Sequence, residues 1–364
     1  MLLEGLHIPL TTPFHPDGRL NLPKLAANVA RRSKSPAAGL VVLGASGEPT
    51  LLTNDESRNV LRAAAQAAAP EKVLIAGISR DSVRATLALA DLAAELLYDA
   101  ILAGVPSILA FDLPAATVAA SEQSISTPRR ELLLYFQTIA DRSPLPVVLF
   151  SNRDHRIPLD ATVELAAHPN ILGLLDGAAS PSEIEAILRR TATIKREVTV
   201  TTVFRAVTAR MKIAAGRAPA TLVSANSLAA DRAASATAAA ETPPVPPLRT
   251  RTKSVGFQVL AGDTQAILEF LRVGAVGAAP AFAACAPQAC YEVFAAWKDD
   301  DQPLAEEKQA RLHESARLAE ATPGSLKFAC DLNGYFGGLP RLPQLPPTGS
   351  QRAALEQRMK QLRN

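Results

Sequence analysis

The sequence predicts a closed α/β barrel of eight parallel strands, each followed by a helix. Three observations carry this. Short β-branched runs alternate with Ala/Leu-rich amphipathic runs, the pattern of repeated strand–helix units. The strand-like runs number eight, which is the number that closes a barrel of this type. Small or polar residues (Gly44, Gly77, Gly104, Asn152, Asp176 and Gly262) follow several of them, at the edge where barrel active sites are built.

The expected strands, in order, are 6–10, 40–43, 73–78, 100–103, 146–150, 171–175, 256–260 and 275–278. Helical periodicity falls between them, for example at 25–32, 56–68, 83–96 and 131–142. Asn54 and Asp55 stand where an N-cap belongs, just ahead of the helix that starts near Glu56. An open dinucleotide-binding sheet is the competing architecture, but no GxGxxG follows the first strand and strands continue towards the far end of the chain. Two stretches break the rhythm. One, at about 109–127, follows the fourth strand and suits a lid or a subunit contact. The other, at about 191–253, ends in an Ala/Ser/Thr-rich and then Pro-rich tract, and is expected to be a flexible or partly helical insertion with little chemistry of its own. The barrel is expected to occupy 1–300, with a helical extension over 301–364 built from helices at 304–321, 326–332 and 351–361.

Composition narrows the function. Of 364 residues, 48% are hydrophobic and 20% charged, the profile of an ordinary globular protein. A net charge of +3, with Lys and Arg scattered, argues against a nucleic-acid partner. Cys285, Cys290 and Cys330 form neither a CxxC pair nor an even framework, which fits a reducing compartment. The opening MLLEGLHIPLTTPF does not read as a secretory signal, and no stretch of about 20 uncharged apolar residues suggests a membrane span. A cytoplasmic protein with no membrane partner is expected. His7, His15, His155, His168 and His313 show no HxH or HExxH spacing, so no metal site is expected, and no cofactor is implied.

Several motifs sit at the strand ends. The second strand runs into Gly44-Ala45-Ser46-Gly47-Glu48, with Glu56 further on. Glycines there let backbone N–H groups approach a ligand, and a hydroxyl suits a small carboxylate. Thr12-Pro13-Phe14 with Asp17-Gly18, the run 145–150, the run 170–176, Val259 to Asp263, and the C-terminal Leu326-Lys327-Phe328-Ala329-Cys330 and Gly337-Gly338-Leu339-Pro340-Arg341-Leu342-Pro343 follow in order. Taken together they resemble the dihydrodipicolinate synthase / N-acetylneuraminate lyase family over nearly the whole chain, broken only by the two insertions.

That resemblance implies a barrel, a homo-oligomer (dimer or tetramer), and a class I aldolase-type lyase in which a lysine at the end of the sixth strand forms a Schiff base with a 2-oxo acid. This sequence departs from the pattern at the reacting positions. The lysine is matched by Leu175, and no lysine occurs between Lys72 and Lys195. The proton-relaying tyrosine is matched by Phe150, the threonine that orients it by Ala45, the aromatic pair after the fourth strand by Ser107 and Ile108, and the arginine at the mouth by His155. Each lost proton-transfer group typically costs about 10²–10⁴-fold in rate, and loss of the nucleophile removes the pathway. The carboxylate cradle survives: Gly44, Ala45, Ser46 and Gly47 on one side, Gly262 and Ala279 on the far wall, with Phe150 and Leu175 between.

Other polar residues divide between function and scaffolding. Ser46 is either a ligand hydroxyl or a turn hydroxyl capping the next helix. Arg153 and His155, in the loop after the fifth strand, could form an anion clamp and an acid/base; the same loop also reads as solvated charges pairing among themselves. Glu48 and Asp176 could pair as carboxylates, but Glu48 reads better as a cap on helical N–H groups, and Asp263 as a helix cap. Lys195, Lys212 and Lys253 lie in or beside the long insertion, where a loop fixes a replacement amine poorly. Three readings follow. The first is a Schiff-base-incompetent homologue that binds a small carboxylate or other small anion, or acts as a scaffold. The second is an active lyase on a small oxo acid or sugar acid, working through Arg153 and His155. The third gives the insertion at 191–253 a partner-binding role.

Overall fold

The computed structural model describes residues 1–110, 122–216 and 248–362. Its strands are β1 (Gly5–Pro9), β2 (Gly39–Val42), β3 (Val73–Gly77), β4 (Ala100–Gly104), β5 (Val147–Ser151), β6 (Ile171–Asp176), β7 (Arg196–Thr201), β8 (Thr250–Val255), β9 (Gln258–Ala261) and β10 (Gly277–Ala278). Eight of them close into a parallel barrel in the order β1-β10-β9-β6-β5-β4-β3-β2. These are the eight expected strands, displaced by a residue or two at their ends. The helices are α1 (Leu22–Ser33), α2 (Asn54–Ala67), α3 (Val83–Glu95), α4 (Ser107–Ala110), α5 (Glu122–Arg142), α6 (Leu159–Ala166), α7 (Pro181–Arg190), α8 (Ala209–Gly216), α9 (Ile267–Arg272), α10 (Pro287–Lys298), α11 (Gln302–Ala319), α12 (Pro323–Leu332) and α13 (Gly349–Met359).

The inward side chains form a separate apolar cluster that includes Leu3, Val41, Ile75, Leu102, Val148, Leu175, Leu260 and Ala279. The barrel is thus a packed core, not a pore. Chain closure demands glycine at two strand exits. A side chain at Gly77 would come within 2.0 Å of the Leu43 carbonyl, and one at Gly262 within 2.8 Å of the Asp176 carbonyl. Gly262 therefore serves the approach of β9 to β6, where its own N–H donates to Asp176 at 2.6 Å.

The long insertion differs from the expectation. Its two flanks, β7 and β8, pair as an antiparallel ribbon from Arg196↔Val255 to Thr201↔Thr250. Val198 and Val200 bury against Leu2 to form a small core, so period-2 alternation had been present in the β7 sequence. The ribbon lies at the N-terminal end of the barrel strands, opposite the mouth. There Gln258 takes the Leu3 N–H at 2.7 Å and donates to the Met1 carbonyl at 3.0 Å. Helix α8 is fastened to the same end. Its Ala209 N–H donates to buried Asp99 at 2.9 Å, and Asp99 also accepts from Leu74 N–H at 2.9 Å. Residues 217–247, including the Ala/Ser/Thr-rich and Pro-rich tract, lie outside the described residues, as do 111–121 of the shorter insertion. Past β10, α10 precedes the three helices α11, α12 and α13, which cover the expected C-terminal helical segments. Among the described residues no helix is long and apolar enough to cross a membrane.

Candidate functional site

The exits of β2, β3, β4 and β5 surround a cleft of about 690 Å³ at the C-terminal end of the barrel. Beyond β2 the chain turns sharply. Leu43 and Glu48 both adopt left-handed φ, 58° and 54°, around a 3₁₀ turn of Ala45–Gly47. Non-glycine residues in that region are strained and persist only when their surroundings enforce them. The enforcing contacts are visible. The Thr12 hydroxyl donates to the Gly47 carbonyl at 2.7 Å, and the Glu48 carboxylate is sealed beneath the turn, paired with Lys327 and accepting the Arg341 backbone N–H at 3.1 Å.

Glu48 therefore does not cap a helix, contrary to the sequence reading, and it does not pair with Asp176. It is a buried counter-ion. Lys327 is 1% exposed; it lies 4.3 Å above the Phe14 ring and donates to the Leu339 carbonyl at 3.0 Å. Burial pulls the Lys327 ammonium below the usual lysine range, opposed by Glu48. Arg341 clamps Glu56 with two bonds of 2.6 Å, which holds the Glu56 carboxyl down at about 2. Glu56 also closes a capping box with Thr53, so the N-cap of α2 is Thr53, one residue ahead of Asn54. Sequence reading quoted Lys327 and Arg341 only as parts of a motif. The missed signal was a lysine between the apolar Leu326 and Phe328 on a helix.

Gly44 and Ala45 line the cleft, whereas Ser46 is half-buried and is not among its lining residues. Nor does the Ser46 hydroxyl cap α2, a position taken by Thr53. Phe150 belongs both to the cleft and to the packing around the barrel interior. Leu175 is its direct neighbour on β6 (Phe150↔Leu175) and is buried at 4% exposure with Leu260 and Ala279. Ala279 thus forms part of the interior, not a wall of the cleft. Ser107 lines the cleft, with its N–H and hydroxyl both donating to Asp81, at 2.7 and 2.6 Å. Ile108 is 64% exposed and is not among the lining residues.

The loop after β5 separates the two residues expected to act together. Asn152 holds the loop as an Asx turn, accepting the His155 N–H at 2.8 Å, and presents His155 to the 690 Å³ cleft. Arg153 instead reaches Asp263 at 3.5 Å and is 80% exposed, lining another cleft beyond β6 and β9. Asp263 caps the short turn that follows it, as expected, by accepting the Gln265 N–H at 2.8 Å. Asp176 likewise accepts Ala178 and Ala179 N–H groups, each at 2.7 Å, while burial pushes its carboxyl above the usual aspartate range. The cleft's own cation was missed. Arg80, just past β3, donates to the Ser79 carbonyl and the Ser57 hydroxyl, each at 2.7 Å, and lines the cleft beside Asp81. The Ser-Arg-Asp triplet at a strand exit was the available clue.

The described residues lining the cleft offer one guanidinium, one imidazole, hydroxyls and amides together with the carboxylates of Glu48, Asp81 and Asp154, with Phe150 among the apolar residues, and none of them is a lysine. That surface presents no amine to attack a carbonyl. No group of three or more His, Cys, Asp or Glu that could hold a metal occurs among the described residues.

Comparison with known proteins adds the following. A model described as the dihydrodipicolinate synthetase family matches residues 2–113 and 247–362, well over half of the chain. The 4-hydroxy-tetrahydrodipicolinate synthase of Acidiphilium cryptum (strain JF-5) is 25% identical over 367 residues and covers 98% of both chains. An N-acetylneuraminate lyase of Rhizobium meliloti (strain 1021) is 31% identical over 189 residues, 51% of this chain and 58% of that protein. Among solved structures, a prophage protein of the dihydrodipicolinic acid synthase family from E. coli K12, in complex with pyruvate, superposes with a TM-score of 0.71 at 21% identity. The superposition covers 100% of this chain and 99% of that one, a likeness of fold.

Proposed function

Because this chain belongs to the dihydrodipicolinate synthetase family, we propose that it is a Schiff-base-incompetent member that binds a small carboxylate, such as a 2-oxo acid, at the barrel mouth or serves there as a scaffold. The observation that carries this reading is Leu175. It stands where the family resemblance places the reacting lysine, and its side chain is packed against Phe150, Leu260 and Ala279. An isobutyl group has no lone pair, and Phe150 beside it has no hydroxyl to move a proton. Other lysines do not substitute. Lys72 donates to the Ser35 and Ala37 carbonyls at 2.7 and 2.8 Å, and Lys327 is sealed against Glu48. In this reading Gly44 and Ala45, which line the cleft, contact the carboxylate, Arg80 supplies the positive charge, and the protein works as a cytoplasmic homo-oligomer.

The test is incubation with pyruvate and sodium borohydride followed by intact mass spectrometry. The unmodified mass is expected, and a trapped covalent adduct overturns the proposal. One observation favours a second reading, an active enzyme that runs without a Schiff base: His155 faces the 690 Å³ cleft. Arg153 drops out of that mechanism as a partner of His155, since it lines another cleft. If this reading is correct, substrate screening over small oxo acids and sugar acids finds a turnover that His155→Ala abolishes.

A further inference from the structure

The cleft that Arg153 lines encloses about 490 Å³ on the same end of the barrel. Gly177 and Gly262, at the exits of β6 and β9, line it with Asp263, Arg317 and Glu320. Glu320 is the C-cap of the 18-residue helix α11. One of its oxygens, Oε1, is locked in place: the Thr264 hydroxyl donates to it at 2.5 Å and the Phe282 N–H at 2.7 Å. The second oxygen, Oε2, has no hydrogen bond to a described residue. With Oε1 already accepting from Thr264 and Phe282, Oε2 is the oxygen left to carry the carboxyl proton.

We propose that this cleft is a proton-linked binding site for a small oxyanion, with Oε2–H of Glu320 donating to one ligand oxygen and the guanidinium groups of Arg153 and Arg317 holding the other. Once Glu320 is neutral, the charges lining the cleft are the guanidiniums of Arg153 and Arg317 and the carboxylate of Asp263. Asp263 pairs with Arg153 at 3.5 Å, and Glu314, outside the lining, pairs with Arg317 at 3.2 Å. Both pairs are made by exposed arginines, where such pairs are weak and can be exchanged for a ligand oxyanion. Several features bring the proton within reach of neutral pH. Burial is the largest, and it lifts Glu320 to about 7 against the Thr264 and Phe282 hydrogen bonds. Asp263 raises it further and Arg153 lowers it. The end of a helix, where the macrodipole is negative, also disfavours a carboxylate. On the inner side the neighbouring titratable groups are Cys285 and Cys290, whose thiols burial pushes up, so both stay neutral.

The site is distinct from the mouth cradle, and its test keeps the two apart. Acetate and inorganic phosphate serve as probes, acetate read by saturation-transfer NMR and phosphate by calorimetry, at pH 6 and pH 8. The binding-competent fraction follows protonation of Glu320, so affinity for acetate, whose charge is constant over this range, is expected to fall about tenfold between the two pH values. Phosphate itself titrates there, so its response is read as the difference from Glu320→Gln at each pH. Acetate alone responding identifies a carboxylate site, and phosphate responding as well identifies a general oxyanion site. Glu320→Gln keeps a donor and an acceptor but cannot titrate. It should retain the pH 6 affinity at both pH values. Arg317→Ala, at a solvent-exposed position, should weaken binding at pH 6 without moving the melting temperature. Equal affinity at pH 6 and 8 in the native protein, an unchanged pH response in Glu320→Gln, or no binding of either probe overturns the inference.

Discussion

Glu320→Gln also makes a quantitative test of how the barrel is put together, independent of any ligand. Folding carries the Glu320 carboxyl from its ordinary value of 4.5 to about 7. A group raised in this way binds more protons folded than unfolded between those two values, so it makes the protein lose stability as pH rises from about 4.5 to 7. Above that window the full cost of holding a charged carboxylate between α11 and the Thr264 turn remains. At 1.36 kcal/mol per pKa unit the cost is about 3 kcal/mol. Glutamine keeps an oxygen for Thr264 and Phe282 while staying neutral, so the variant should be more stable than the native protein at pH 8 by up to about 3 kcal/mol. The two proteins should be nearly equal at pH 5, close to the lower edge of the window. With an unfolding entropy of about 2.1 cal/mol/K per residue, the gain at pH 8 corresponds to about 4 °C in melting temperature. Thermal unfolding at pH 5 and 8 reads this directly. A variant that melts below the native protein at pH 8 refutes the reasoning, because Glu320 would then be stabilising as a carboxylate.

Three further outcomes are expected. Lys327→Met strands the buried Glu48 carboxylate and should cost about 3–5 kcal/mol by urea unfolding, much of it regained in the double variant with Glu48→Gln; a cost under about 1 kcal/mol would show that the pair does not hold the cradle turn. Asp99→Ala leaves the Leu74 and Ala209 N–H groups without their acceptor, and should cost about 2–3 kcal/mol with faster proteolysis of the α8 segment; unchanged digestion would detach α8 from the barrel floor. Leu175→Lys places an amine in the apolar interior, where desolvation keeps it neutral and nucleophilic, so the borohydride trap that leaves the native protein unmodified should now capture pyruvate. No adduct in that variant would mean that position 175 does not face a bound oxo acid.

The barrel was legible in the sequence because both of its signals are local. Strand runs such as 73–78 and 171–175 are short and continuously apolar, and the amphipathic stretches between them repeat at helical spacing. Leu175 beside Phe150 was likewise readable, since strand order and motif order alone place both at the mouth. What sequence order cannot state is which side chains converge from distant parts of the chain. Glu48 looked like a cap because an acid after a glycine turn commonly is one; only the packing of α12 beneath it, 279 residues later, made it a buried counter-ion. Arg153 and His155 are two residues apart, yet the Asx turn at Asn152 sends them to different clefts. The β7–β8 ribbon escaped notice because its strands are separated by residues 202–249, and nothing local announces a pairing across that span. Sequence alone thus determined the closed parallel sheet and the absence of an amine at position 175, which depend on residue type and period. Tertiary structure decided the ionic lock under the cradle, the split of the mouth, and the setting of Glu320, because each depends on burial and on partners brought together only by folding.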